Sequence, residues 1–362
     1  MRIGILGAGQ LGRMMALAGY PLGLRFTFLD RAADTPGGQL ADIIVSEFDD
    51  GDALRRLARQ SDRLTFDWEN VPVGPLEALA AEARILPPLQ ALGTAQDRLA
   101  EKSLFRDLDI ATNDFAAVDD AAELAEAAQR LGYPCVLKTR RLGYDGKGQR
   151  ILRGAGDLGA AWADLGDAPC LLEQFIPFEF EVSLVAVRST DGETAFYPLS
   201  RNVHQDGILR YSVAPWEAPE LEAQARRALE RLFTHFDYAG VLTVEFFARD
   251  GQLLANEMAP RVHNSGHWTI EGAVTCQFEN HLRAILGLPL GSTRARGHSA
   301  MVNFLGAMPA AADILAVPGA HLHDYGKEPR PGRKLGHGTI VAETTAQRDR
   351  GMERLRALAE NA

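Results

Sequence analysis

The chain has 362 residues, 46% hydrophobic and 24% charged, with a net charge of −10. That is enough for two or three domains with full cores, and the acidic balance argues against a general nucleic-acid or anionic-membrane binder. Three scattered cysteines, Cys135, Cys170 and Cys276, lack metal spacing and are odd in number, which argues against a disulfide framework or zinc site and suits a reducing cytoplasm. No signal-peptide pattern opens the sequence, and no apolar run is long enough to span a bilayer, so no membrane partner is expected.

Residues 1–95 alternate short apolar strands, at 3–6, 26–29, 43–45 and 64–66, with helical stretches, the pattern of a doubly wound α/β unit. Gly7-Ala8-Gly9-Gln10-Leu11-Gly12 joins the first strand to a helix, and Asp30 closes the next strand where a ribose-binding acid would stand. Alone, this fingerprint supports a nicotinamide-dependent oxidoreductase. Its physical content is broader, because a helix N-terminus behind glycines attracts any anion.

Pro87-Pro88 and a helix over 96–108 mark a domain boundary. A smaller unit follows: helix Ala121–Leu131, strand Cys135–Thr139, a Gly-rich loop, strand Gln149–Leu152 and helix Leu158–Leu165. The loop, Leu142-Gly143-Tyr144-Asp145-Gly146-Lys147-Gly148-Gln149, lies between two strands and lacks the Gly-Lys-Ser/Thr ending of a Walker loop. Three glycines and a lysine there suit a flap that covers a triphosphate with backbone N–H groups. Lys138 adds a point charge for an α- or β-phosphate. Glu173-Gln174-Phe175-Ile176, with Glu181 and His204 downstream, offers an apolar slot for adenine and carboxylates for ribose hydroxyls.

Two strand-like runs, 241–247 and 253–258, flank Asp250-Gly251 as a hairpin would, and each carries a carboxylate, Glu245 and Glu257. A three-residue loop puts the two on one face, with Cβ atoms roughly 4.5–8 Å apart, where Mg²⁺ would relieve their repulsion. A two-residue turn instead sets Asn256 opposite Glu245 and sends Glu257 to the other face, so register decides the reading. Arg261-Val262-His263-Asn264-Ser265-Gly266-His267 follows, dense in donors. A helix over 275–286, a connector over 287–296 and a strand-rich tail with a final helix complete the chain.

The order of these parts, with Phe66-Asp67-Trp68-Glu69-Asn70, Gln96-Asp97-Arg98-Leu99 and Gly332-Arg333-Lys334-Leu335-Gly336-His337, resembles the ATP-grasp superfamily. Over essentially all 362 residues it is similar to that superfamily's N5-carboxyaminoimidazole ribonucleotide synthetase family. The resemblance implies an α/β and α+β ATP-grasp fold. A Rossmann-like domain over 1–95 would be followed by an ATP-grasp domain over 96–296, with a lid near 113–172, and by a small C-terminal domain over 297–362. By the family pattern Arg98, Lys138, Gly143, Tyr144, Asp145, Gly146, Lys147, Gly148, Gln149, Glu173, Gln174, Phe175, Ile176, Glu181, His204, Asn256 and Glu257 bind ATP, while Glu245 and Glu257 hold Mg²⁺. The ribonucleotide would lie near Gln10, Leu11, Glu69, Tyr144, Asp145, Lys327, Arg333 and Lys334, and bicarbonate by Arg261, His263, Asn264 and Ser265. Asp145 would orient the reacting amine or accept its proton.

The implied reaction is attack of bicarbonate on the γ-phosphorus of ATP to give carboxyphosphate and ADP, then carboxylation of aminoimidazole ribonucleotide in de novo purine synthesis, by a cytoplasmic homodimer. Within the ligases the rival is a relative that uses formate and glycinamide ribonucleotide. Outside them the rivals are the oxidoreductase, which leaves the flap and hairpin without a role, and a catalytically silent ATP-binding module.

Overall fold

The structure, a computed structural model, describes residues 1–143, 146–165 and 168–362. Among these the strands form three sheets. The first is parallel, in the order β3-β2-β1-β4, built from β1 (Arg2–Leu6), β2 (Arg25–Asp30), β3 (Asp42–Val45) and β4 (Arg63–Phe66). Ile3, Ile5, Phe26 and Phe28 are fully or almost fully buried, as expected of a sheet covered on both faces.

The second sheet is antiparallel, in the order β5-β8-β6-β7: β5 (Phe115–Val118), β6 (Cys135–Thr139), β7 (Gln149–Leu152) and β8 (Cys170–Gln174). Its helix Ala121–Leu131 is capped by Asp120, whose carboxylate accepts the Ala122 and Glu123 amides at 2.8 and 2.9 Å. This unit has a core of its own, made by Val118, Leu124, Ala128, Leu137, Leu152 and Leu172.

The third sheet carries nine strands. Eight run β14-β13-β9-β11-β12-β15-β17-β16, and β10 pairs with β9 beside them. They are β9 (Phe180–Arg188), β10 (Thr194–Phe196), β11 (Ser200–Gln205), β12 (Ile208–Ala214), β13 (Gly240–Arg249), β14 (Gln252–Ala259), β15 (His298–Leu305), β16 (Ala320–Asp324) and β17 (Lys334–Ala342). The strand-rich tail continues this sheet through the β12–β15 pairing.

Two joints organise the molecule. The first sheet is welded to the third by a shared apolar core, in which Ile3, Met15 and Phe26 pack with Val185, Val241, Trp268, Phe278 and Leu282. Helix Gln10–Gly19 lies so close to helix Gln277–Leu286 that a Cβ on Gly19 would fall 2.8 Å from Leu282 Cδ1. The second, smaller sheet meets the rest through charge. Lys102, 1% exposed on helix Arg98–Asp107, reaches Asn113 Oδ1 at 2.8 Å, Ala255 O at 2.9 Å and Glu173 Oε2 at 3.8 Å.

Candidate active site

The hairpin β13–β14 settles its register in an unexpected way. Asp250 and Gly251 both have positive φ, +50° and +72°, in a two-residue turn that pairs Arg249 with Gln252, the geometry Asp-Gly favours. Carried on unchanged, that turn would set Asn256 against Glu245. A β-bulge intervenes: Phe246 pairs with Ala255 and Glu245 with Glu257, leaving Asn256 as the extra residue. The two acids are therefore direct cross-strand partners on one face, although the three-residue loop expected to place them there does not form.

Paired residues of adjacent strands share a face. Glu257 opposes Glu245, Glu245 opposes Ser183, Glu181 opposes Asn202 and Asn202 opposes Ser212, so a band of polar side chains crosses five strands of an otherwise apolar sheet. Burial, and then the neighbouring Glu257 charge, push Glu245 up to about 7. Burial acts on Glu257 too but is outweighed by Arg98 and Lys138, which hold it below the usual carboxylate range. Arg98 Nη1 sits 3.2 Å from Glu257 Oε2. Behind the hairpin, burial and the Glu257 charge raise Glu101 to about 8, and its Oε1 accepts the Met258 amide at 2.6 Å.

His204 Nδ1 lies 2.9 Å from Glu181 Oε2, and its Nε2 lies 3.9 Å from Glu245 Oε2. Burial disfavours its charge, but Glu245 and Glu181 win and raise it to about 9. From the lid, Lys138 Nζ reaches Glu173 Oε2 at 3.0 Å, where Asn113 Nδ2 also donates at 3.0 Å. Burial would raise Glu173, but Lys102 and Lys138 pull it down to about 2. Gln174 is exposed, Phe175 half-buried and Ile176 buried.

The flap runs from lid to sheet. Arg98 Nη2 donates to Gly143 O at 3.4 Å, and Gly146 and Gly148 adopt φ of +75° and +71°. A Cβ on Gly146 would come 2.3 Å from Asp206 O in the β11–β12 turn, and one on Gly148 2.6 Å from Thr139 Oγ1, so both close approaches need glycine. Lys147 and Gln149 flank them, while Tyr144 and Asp145 lie outside the described residues.

Beyond β14, Arg261 Nη2 bonds Glu69 Oε2 at 2.7 Å. His263 caps the short turn Asn264–Gly266: its Nδ1 accepts the Ser265 amide at 3.3 Å and lies 2.9 Å from Ser265 Oγ, and its Nε2 is 3.7 Å from Glu245 Oε1. Asn264 exchanges two amide hydrogen bonds with Asn303, at 3.1 and 2.8 Å. Lys327 donates to Gln10 Oε1 and lies over the Tyr325 ring, Arg333 donates to Glu328 O at 3.0 Å, and Lys334 is close enough to Glu245 and His263 to act on both. Around the hairpin acids the structure thus brings together Arg98, Lys138, His204, His263 and Lys334, while Gln10 with Lys327, Glu69 with Arg261 and Asn264 with Asn303 make separate contacts, and these contacts do not join Leu11, Gln174, Phe175 or Arg333 to the acids.

The glycine fingerprint at the N-terminus is already occupied. Asp67 Oδ2 accepts the Gly9 amide at 2.7 Å and the Gly12 amide at 3.1 Å, and Asp30 Oδ2 accepts the Ala8 amide at 2.7 Å. A Cβ on Gly7 would fall 1.7 Å from Asp67 Oδ1, so the close approach the glycine allows is to a carboxylate of the same chain. The amides of Gln10 and Leu11 have no acceptor among the described residues. The oxidoreductase expectation loses its support here, because the Ala8, Gly9 and Gly12 amides of the fingerprint are taken by Asp30 and Asp67, leaving only those of Gln10 and Leu11 open.

Sequence reasoning missed Lys102, Asn113, Ser183, Asn202 and Asn303, each buried and polar. Asn202 carried a signal, since Ser200, Asn202 and His204 alternate on one strand. Lys102, on an ordinary-looking helix, carried none.

Three family descriptions match the chain in succession: Ribonucleotide synthetase preATP-grasp domain over residues 1–96, ATP-grasp domain over 103–278, and Phosphoribosylaminoimidazole carboxylase C-terminal domain over 299–350. The N5-carboxyaminoimidazole ribonucleotide synthase of Pseudomonas aeruginosa is 52% identical over 360 residues, covering 99% of this chain and all of the relative. That of Bacillus subtilis is 38% identical, covering 94% and 91%. Among solved structures, the N5-carboxyaminoimidazole ribonucleotide synthetase of Thermus thermophilus superposes with a TM-score of 0.94 at 51% identity, covering 98% of each chain. The N5-carboxyaminoimidazole synthase of Aspergillus clavatus, in complex with ADP and 5-aminoimidazole ribonucleotide, gives 0.92 at 33% identity, covering 100% of this chain and 99% of that one.

Proposed function

Because this chain belongs to the N5-carboxyaminoimidazole ribonucleotide synthase family of ATP-grasp ligases, we propose a division of labour within its cleft that accounts for each step of that activity. The chain is an ATP-dependent ligase that carboxylates 5-aminoimidazole ribonucleotide in purine biosynthesis. ATP lies between lid and hairpin: adenine in the slot of Glu173 to Ile176, ribose hydroxyls at Glu181, and phosphates under the flap beside Lys138 and Arg98.

The observation that carries this reading is the cross-strand pairing of Glu245 with Glu257. The residues fit Mg²⁺: two carboxylates share a face, Asn256 Oδ1 beside them is buried with no partner among the described residues, and Mg²⁺ suits one or two carboxylates plus phosphate oxygens. When bound, the ion supplies charge neutralisation on the phosphates. Arg98, now on Glu257, is placed to turn to the phosphates as the carboxylates take the ion.

Bicarbonate is the carboxyl donor, held by Arg261, His263, Asn264 and Ser265. Its oxygen attacks the γ-phosphorus and ADP leaves; the exocyclic amine of the ribonucleotide then attacks the carboxyl carbon and phosphate leaves. Positioning and charge do most of the work. The flap, bridging to the β11–β12 turn, excludes water from the carboxyphosphate. The ribonucleotide's 5′-phosphate takes the tail cations Lys327, Arg333 and Lys334 with the Gln10 and Leu11 amides, and Asp145 orients the amine or accepts its proton. The domain division is 1–95, 96–296 and 297–362, and the enzyme works as a cytoplasmic homodimer, a state that sedimentation would test.

ADP release should require bicarbonate and rise on adding aminoimidazole ribonucleotide. Equal release when formate and glycinamide ribonucleotide replace them would overturn the substrate assignment.

A further inference from the structure

Four buried polar side chains outside the phosphate machinery form a chain that ends on His263. The Ser212 hydroxyl donates to Asn202 Oδ1 at 2.8 Å, Asn202 Nδ2 donates to Ser183 Oγ at 2.9 Å, and the Ser183 hydroxyl donates to Ser265 Oγ at 2.7 Å. All four residues are at most 2% exposed. A hydroxyl has one proton to give. Since Ser183 receives from the Asn202 amide, its proton goes to Ser265, and the Ser265 proton goes to His263 Nδ1, 2.9 Å away. The Ser265 backbone N–H, which can only donate, points at the same Nδ1 at 3.3 Å. With two donors on Nδ1, the ring is neutral and its proton sits on Nε2, the nitrogen 3.7 Å from Glu245 Oε1.

We propose that Ser212, Asn202 and Ser183 are positioning residues: a one-way hydrogen-bond chain across the central sheet whose direction leaves the Ser265 proton to His263 Nδ1, and so keeps His263 an Nε2–H donor toward the carboxyl group being transferred. The second half of this statement rests on the assignment of bicarbonate to His263. The chain explains why three polar residues lie buried in strands that could hold apolar ones, where an unpaired hydroxyl or amide is costly. It also assigns direction to the Asn202 amide, which sends polarity one way only.

The direction can be reversed without changing shape. In Asn202→Asp the carboxylate only accepts: it draws the Ser183 proton, Ser183 then draws the Ser265 proton, and His263 Nδ1 loses its hydroxyl donor. Nitrogen-15 spectra of histidine-labelled full-length protein, with the His263 signal assigned by its loss in His263→Asn, should show a single Nε2–H tautomer in the wild type and a mixture in Asn202→Asp. With ATP, bicarbonate and aminoimidazole ribonucleotide, kcat in Asn202→Asp should fall about tenfold, the worth of one hydrogen bond, with KM for ATP within about twofold. Adding Ser183→Ala should restore both readouts, because the reversal cannot cross a missing hydroxyl while the new charge remains. Ser265→Ala, which buries no charge, should also mix the tautomers and covers the case in which Asn202→Asp does not fold.

An unchanged tautomer in both Asn202→Asp and Ser265→Ala overturns the chain. Failure of Ser183→Ala to restore it assigns the effect to charge and overturns the chain as well. A shifted tautomer with unchanged kcat overturns the catalytic half. Absence of bicarbonate-dependent ADP release in the wild type would instead remove the proposed function, and the wild-type spectrum would still report the chain.

Discussion

The two joints of this molecule are made of opposite materials. The N-terminal sheet meets the central sheet through Ile3, Met15, Phe26, Val185, Val241 and Phe278, a close-packed apolar core with no direction to its forces. The lid meets the central sheet through Lys102, which donates to Asn113 and to Ala255 O and faces Glu173, while Lys138 holds Glu173 from within the lid itself: a few directional contacts in which a cation can change partners. An apolar weld keeps the Glu69 to Arg261 side of the cleft in fixed register with the hairpin. A charged joint lets an incoming polyphosphate compete for Lys138. The reaction needs both properties, one surface that stays and one that closes.

The fixed side breaks most completely at its paired acids. Glu245→Ala combined with Glu257→Ala removes the pair, and ADP release should fall by at least about 10³-fold, the scale of lost electrostatic stabilisation. Asn256→Ala, which keeps both acids, should stay within about tenfold of the wild type. Circular dichroism of the double variant separates a lost charge pair from a lost fold. Glu257→Gln removes one charge; kcat should fall about 10²-fold with the melting temperature nearly unchanged, as expected for a lost electrostatic anchor.

The charged joint breaks by pH. Glu173 has a pKa of about 2 in the folded state against 4.5 unperturbed, since Lys102 and Lys138 outweigh its burial. A depressed acid stabilises the fold fully above the unfolded value and loses that contribution as pH falls from 4.5 through 2. A shift of this size corresponds to on the order of 3 kcal/mol, or about 10² in the folding equilibrium. Glu173→Gln should lose roughly this at pH 7 and much less at pH 3, giving a flatter acid limb in urea titrations. The smallest effect belongs to the flap. Gly148→Ala puts a methyl 2.6 Å from Thr139 Oγ1 at a φ of +71°, and KM for ATP should rise about tenfold while stability falls by about 1 kcal/mol in urea titrations.

Most of the architecture was legible because its signals are local. The alternating strands before residue 95, the lid elements Ala121–Leu131 and Cys135–Thr139, and the glycines of the flap declare themselves by period and composition. β11 and β12 did not, because Ser200, Asn202 and His204 share one face of β11 and bond to Trp268, to Ser183 and Ser212, and to Glu181, so polar side chains stand where the apolar alternation that marks a strand is expected. The hairpin was legible in its residues and not in its register. Asp-Gly specifies the two-residue turn, and only the bulge, a property of the whole β13–β14 ladder, returns the acids to one face. Lys102 and Asn113 escaped because burial of a charge depends on partners far away in the chain.

Asp67 has a consequence for the ancestry of such domains. Its carboxylate rests on the Gly9 and Gly12 amides, and burial raises it to about 6. The chain thus carries a resident counter-anion in the berth where other proteins of this shape moor a borrowed coenzyme. One acidic side chain at the end of the fourth strand turns most of a cofactor dock into a strut and leaves only the Gln10 and Leu11 amides for an incoming anion, a difference that counting glycines alone does not reveal.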